Sequence, residues 1–328
     1  MAVKGNYETK RKKKMIPLTQ FKKILILPVR TFLSLGVFFA LAISTHAQNL
    51  YVSINGDFCG FQCTNSNGSI SEYTPAGMVT IASSLARPRG LAFDSSGNLF
   101  AAVTRRAPPK GQYQGKILKF SPLGLQSVLG TVPQSFLEVV VTDSGGNTFA
   151  LAQDAKLGLF YPSTIYKFAP DGTGSIFGSI PGQGNGLAFD SEGNLFAADF
   201  GAPGISPSIY KFTSDGTRTV FAGPNAFTDG TGPAGLAFDA SGNLFVSTQG
   251  DPGNDTILEF TPTGMESTFA PGLTNPLGLA FDGSGNLFVV EENPGPDGDI
   301  LEFPLGGGRS TFASGLNYPE NLAFGPPR

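Results

Sequence analysis

Carboxylates, amides and one arginine are the residues in this chain whose types and spacing could do chemistry. Imidazole and thiol chemistry has little to work with: the 328 residues include one histidine, His46, and two cysteines, Cys59 and Cys63. Glu138, Asn185 and Glu320 offer oxygen ligands to a hard cation such as calcium. Arg89 complicates that reading, because it could neutralise both glutamates. It could equally anchor an anionic or carbonyl-bearing ligand, or the group could form an ion-paired lining around a water-filled channel. Asp199 and Glu291 are the candidate proton acceptors, since carboxylates in unlike surroundings can divide acid and base work. Adjacent strand residues point to opposite faces, so only one of Glu291 and Glu292 can face a common site. The oxygen-rich stretches 251–255 and 293–299 lack the spacing of a calcium-binding EF-hand loop and read as turns.

The elements that position these residues come from a repeat. Gly90-Leu-Ala-Phe-Asp-Ser-Ser-Gly-Asn-Leu-Phe100 returns at 186–196, 235–245 and 278–288, with a degenerate copy at 139–149. Its aspartates, Asp94, Asp143, Asp190, Asp239 and Asp282, lie 43 to 49 residues apart. Each copy predicts two short strands around an Asp-x-x-Gly-Asn turn whose glycine takes positive φ. A third strand follows, as in Ile117-Leu-Lys-Phe and Ile257-Leu-Glu-Phe, with the alternation of a half-buried strand. A fourth, such as Thr219-Val-Phe-Ala, completes a propeller blade of about 45 residues.

Third strands occur six times, but complete first hairpins only five times. The missing pair lies at opposite ends: Asn321-Leu-Ala-Phe324 is a first strand and Asn49-Leu-Tyr-Val52 a second. The predicted fold is therefore all-β, a six-bladed β-propeller of four-stranded blades. Strands from both termini close its ring in one blade and leave no open edge. The residue five before each turn aspartate begins the innermost strand. Around the channel this predicts the ring Glu320, Arg89, Glu138, Asn185, Ala234 and Leu277.

The pattern Pro-x-Gly-Leu-Ala-Phe-Asp-x-x-Gly-Asn-Leu-Phe-Val resembles the NHL repeat. More loosely, the chain is similar to the SMP-30/gluconolactonase group of six-bladed propellers. The first resemblance implies an acidic residue just after the second strand, which Asp199 matches and Glu291 replaces conservatively. The second implies a divalent cation (Ca, Zn, Mg or Mn) held by Glu138, Asn185 and Glu320. In that reading it polarises a sugar lactone, with Asp199 or Glu291 accepting the proton. Propellers host many unrelated activities, so the resemblance bears on fold more than on function.

Residues 1–47 differ in character. A basic stretch precedes the apolar run 31–43 and the small-residue exit Ser44-Thr-His-Ala47, the pattern of a secretory signal peptide. Met15 is an alternative start. Cleavage after Ala47 leaves residues 48–328 as a single propeller domain with no membrane span and no histidine, which excludes Ser-His-Asp and Cys-His mechanisms. Nine of the 22 basic residues but one of the 25 acidic ones lie in 1–47. Residues 48–328 therefore carry 13 basic against 24 acidic side chains, a net charge of −11, which opposes nucleic-acid binding. Export also favours a disulfide between Cys59 and Cys63. The expected protein is a secreted or periplasmic monomer with no required cofactor. One face and its channel mouth bind a small molecule, polysaccharide or protein. The alternative is the metal-dependent lactone hydrolase.

Overall fold

The computed structural model describes residues 48–56, 67–107, 112–155, 161–227, 230–250, 253, 255–293 and 297–326. The expectations for the leader 1–47, for Cys59 and Cys63, and for parts of the stretches 251–255 and 293–299 fall outside these residues. Six antiparallel sheets of four strands make up the fold. The first blade holds β1 (Asn49–Ile54), β2 (Gly68–Thr74) and β3 (Gly77–Leu85). The second holds β4 (Pro88–Phe93), β5 (Leu99–Ala107), β6 (Gln112–Phe120) and β7 (Gln126–Pro133). The third is β8 (Ser135–Thr142), β9 (Thr148–Asp154), β10 (Ser163–Phe168) and β11 (Gly174–Ile180). The fourth is β12 (Gly184–Phe189), β13 (Leu195–Asp199), β14 (Ser208–Phe212) and β15 (Arg218–Ala222). The fifth is β16 (Gly232–Phe238), β17 (Leu244–Gln249), β18 (Asp255–Phe260) and β19 (Glu266–Leu273). The sixth is β20 (Pro276–Phe281), β21 (Leu287–Glu291), β22 (Gly298–Phe303) and β23 (Ser310–Leu316). The last strand, β24 (Pro319–Gly325), returns to pair with β1 and completes the first blade in the order β24-β1-β2-β3. The two ends close the ring, as the repeat count required.

The repeat phrase accounts for this local structure. In each complete hairpin the turn aspartate accepts the asparagine backbone N–H on one oxygen and the asparagine side-chain amide on the other. In the second blade Asp94 Oδ1 takes Asn98 N at 2.8 Å, and Asp94 Oδ2 takes Asn98 Nδ2 at 2.7 Å. Gly97 sits at φ +76°, a conformation glycine adopts without a Cβ penalty. The aromatic positions join neighbouring blades. The second-strand ring of one blade meets the phenylalanine before the turn aspartate of the next, edge to face. The pairs are Tyr51–Phe93, Phe149–Phe189, Phe196–Phe238, Phe245–Phe281 and Phe288–Phe324, with centroids 4.7–5.1 Å apart. Each such pair contributes about 0.5–1.5 kcal/mol beyond its buried area. The remaining junction, between the second and third blades, has Thr142 at the ring position, and its hydroxyl donates to Phe93 O at 2.7 Å.

The innermost strands β24, β4, β8, β12, β16 and β20 each contact the next around the axis. Glycine makes this proximity feasible. A Cβ on Gly235 would lie 2.1 Å from Leu277 O, and one on Gly186 would lie 2.2 Å from Ala234 O. No helix among the described residues is long and apolar enough to cross a membrane.

Candidate functional site

A β-bulge interrupts all six innermost strands at the ring position. Glu138 is skipped between the pairs Leu137–Ala152 and Val139–Leu151, and Asn185 between Gly184–Asp199 and Gly186–Ala198. Glu320 is skipped between Pro319–Ile54 and Asn321–Ser53. Arg89, Ala234 and Leu277 fall in the matching shifts of β4, β16 and β20. A bulge bends its strand and re-aims a side chain. Here the six ring residues all turn onto one cavity of about 260 Å³ at the channel mouth. Second-strand serines hold two of these bulges: Ser53 Oγ donates to Arg89 O at 2.5 Å, and Ser247 Oγ donates to Leu277 O at 2.8 Å.

The mouth also concentrates backbone strain. Arg87, Asn275 and Tyr318 lie two residues before their ring positions, with φ of +46°, +48° and +55°. Each precedes a proline, which restricts its backbone further. Non-glycine residues in this region cost about 1–3 kcal/mol and cluster where a surface has a task.

Arg89 dominates the electrostatics. Its Nη1 is ion-paired to Glu138 Oε2, and its Nη2 lies 3.5 Å from Glu320 Oε1. Both carboxylates are deeply buried, Glu138 8% and Glu320 7% exposed. Glu320 Oε1 also accepts Asn55 Nδ2 at 2.8 Å. The guanidinium stacks 5.0 Å from the Phe136 centroid, and Arg87 lies over the same ring at 4.7 Å. Burial pushes the Glu138 carboxyl up against the pull of Arg89, whereas the two glutamates hold the Arg89 guanidinium firmly protonated.

This arrangement does not fit a divalent cation. The position between Glu138 and Glu320 is taken by the Arg89 guanidinium. Among the described residues no three His, Cys, Asp or Glu side chains come together to hold an ion. Asn185 lines the cavity near this cluster, and its side chain makes no hydrogen bond to any described residue.

The two residues read as proton acceptors sit elsewhere. Asp199, fully buried at the end of β13, accepts Gly182 N and Gly201 N at 2.9 Å each and does not line the cavity. It fastens the loops entering and leaving its hairpin. Glu291 closes β21 and accepts Thr274 N at 2.7 Å, outside the cavity lining. Glu292, one residue on, lines the cavity. The strand alternation that admits only one of the two thus selects Glu292. Burial first, and then Glu320, push its carboxyl up to about 7, against Arg89 and a 2.8 Å hydrogen bond from Asn275 Nδ2. Asn321, next to Glu320 on β24, also lines the cavity, as do Gln183, Gln249 and Asn275. The last three belong to loops and strand ends that the ring offset does not reach.

No protein-family model matches the chain, and no curated protein matches it in sequence. Solved structures do match it in shape. A gluconolactonase from Xanthomonas campestris is 15% identical with TM-score 0.53, over 80% of this chain and 80% of that one. A protein of unknown function from Bacteroides caccae is 10% identical with TM-score 0.57, over 85% and 99%. The PQQ-bound aldose sugar dehydrogenase from Streptomyces coelicolor is 17% identical with TM-score 0.52, over 72% and 84%. Likeness at these identities shows a shared propeller fold, and the site must be read from this chain's own residues.

Proposed function

We propose that the propeller is a binding module whose channel mouth takes a small, hydroxyl-rich ligand. One observation carries this reading. Six bulges converge on a cavity in which the Gln183 and Asn185 side-chain amides have no hydrogen-bond partner among the described residues, beside carboxylates that Arg89 fixes in place. Amides supply donors and acceptors together, and carboxylates accept from hydroxyls. The cavity's volume suits a single small molecule rather than a polymer. Two of the similar structures are a gluconolactonase and an aldose sugar dehydrogenase, which supports a sugar-like ligand. Calorimetric titration with alditols, aldoses and aldonolactones tests the reading. Binding is expected to weaken about tenfold or more in Asn185→Ala; binding indifferent to that change would overturn it.

Glu292 favours a second reading, hydrolysis of a sugar lactone without a metal. The carboxylate form of Glu292, which titrates near 7, can take a proton from water as the resulting hydroxide adds to the carbonyl carbon. The ring C–O bond then breaks, and the leaving oxygen receives the proton. Hydrolysis followed by pH-stat and lost in Glu292→Gln would promote this reading over simple binding.

We further propose that residues 1–47 direct export and that residues 48–328 act as one NHL-like, monomeric propeller domain in a secreted or periplasmic location. N-terminal sequencing of exported protein is expected to begin at Gln48; retention of residues 1–47 would defeat the proposal.

A further inference from the structure

Charge in the cavity is unevenly satisfied. One guanidinium, Arg89, serves both Glu138 and Glu320. Glu292 is the third carboxylate on the cavity wall, and it has no ion pair among the described residues. Asn275 Nδ2 donates to its Oε2 at 2.8 Å, and its Oε1 has no hydrogen-bond partner there. Asn275 itself is held by Gln249, whose Nε2 donates to Asn275 Oδ1, so the amide cannot turn to offer more. Even when Arg87, whose charge acts on these groups from outside the lining, is counted beside Arg89, three carboxylates stand against two guanidinium groups among the described residues. The sign of the site therefore differs from what Arg89 alone suggests. Its positive charge is already engaged, and the open group is an anion.

We propose that the ligand of this cavity carries a primary ammonium beside its hydroxyls, and that Glu292 is the group that receives it. The inference rests on the reading of the cavity as a site for a hydroxyl-rich molecule, and it adds a charge to that molecule. An ammonium at Glu292 would complete the charge balance and hydrogen-bond the free Oε1, while the Gln183 and Asn185 amides take hydroxyls. The titration of Glu292 agrees with an unmet demand for positive charge. Burial and Glu320 raise it, and Arg89, Asn275 and Arg87 together do not offset them. An anionic ligand would meet Glu292 and Glu320, and the one cation among the described residues that line the cavity, Arg89, is already paired.

A matched set of probes tests this: 1-amino-1-deoxysorbitol, sorbitol and gluconate share a six-carbon polyol chain and differ in charge. An aliphatic amine stays protonated from pH 5.5 to 8.5, so only the protein titrates over that range. By calorimetry at pH 8.5 the amine is expected to bind at least about tenfold tighter than sorbitol, with gluconate weaker than either. At pH 5.5, where Glu292 holds its own proton, most of that advantage should vanish. Glu292→Gln should bring the ratio of amine to sorbitol affinities close to one at both pH values. Equal affinities for sorbitol and the amine at pH 8.5 would overturn the ammonium inference and leave the hydroxyl reading standing. If sorbitol and gluconate fail to bind, ethanolamine separates the cases through the ¹³C carboxyl titration of Glu292. A midpoint lowered by ethanolamine keeps the ammonium inference without the polyol reading, and an unmoved midpoint ends both.

Discussion

Arg89 is a counter-ion for two buried carboxylates, and removing it should expose how much they depend on it. Breaking a buried pair from one side typically costs about 3–5 kcal/mol, because a charge is left behind without its partner. Arg89 is partly exposed at 26% of its side chain, so the lower end applies. Urea unfolding of Arg89→Met is expected to show a loss of about 3 kcal/mol. Part of this should return in Arg89→Met with Glu138→Gln, where one orphaned charge is gone. A second test lies in pH. The Glu292 carboxyl titrates near 7 when folded, against an ordinary 4.5. The folded state therefore holds a proton that the unfolded chain has already released, and stability should fall as pH rises from about 4.5 through 7. Glu292→Gln should flatten that slope in thermal melts; an unchanged slope would place the proton elsewhere. At this scale the sequence was legible where a fixed offset applied. Counting five residues back from each turn aspartate located Glu320, Arg89, Glu138 and Asn185 around the channel. The offset does not extend past the second strand, where the chain's exit from β21 decides between Glu291 and Glu292. Asp199 looked like an available proton acceptor, but its two backbone N–H partners come from a loop path that composition does not encode.

Strands and turns were more legible than the kinks within them. The alternating third strands and Asp-x-x-Gly-Asn turns carry their own chemistry in short segments, so local reading suffices. The bulges do not, because they arise from the register between two strands and from the crowding of neighbouring blades. The left-handed backbone at Arg87, Asn275 and Tyr318 was hidden for a similar reason: no glycine marks it. Crowding gives a prediction for the glycine beside the ring. In Gly235→Ala the new Cβ would fall 2.1 Å from Leu277 O, a backbone atom that cannot rotate away. A destabilisation of about 1–3 kcal/mol is expected by chemical denaturation. No loss would mean that β16 and β20 can separate freely. The third and first blades carry Val139 and Asn321 at the matching place, so side chains are admitted where the neighbouring path differs. Asn321 uses its position, accepting Leu91 N through Oδ1 at 3.3 Å.

For the whole molecule, closure was legible because the repeat count was uneven between strand types. The physical demand for a paired edge then left one way to complete the ring. Removing residues 319–328 deletes β24, leaving β1 without its inner partner and β4 and β20 without the neighbour between them. Circular dichroism and size exclusion are expected to show an expanded, less cooperative protein. A truncated chain that melts as sharply as the full one would show the five complete blades and the remaining three strands of the first to be self-sufficient.

The same closure separates the seam of the ring from the units that are copied. Each repeat in the sequence coincides with a blade, but the run of strands from β1 to β24 starts and ends one strand out of phase with the blades, since β24 and β1 share a sheet while lying at opposite ends of that run. Duplicating or losing an internal repeat would change the number of blades yet leave the same two end strands to seal the ring. A lineage carrying such a chain can therefore alter its circumference, and with it the width of the channel, without inventing a new fastening.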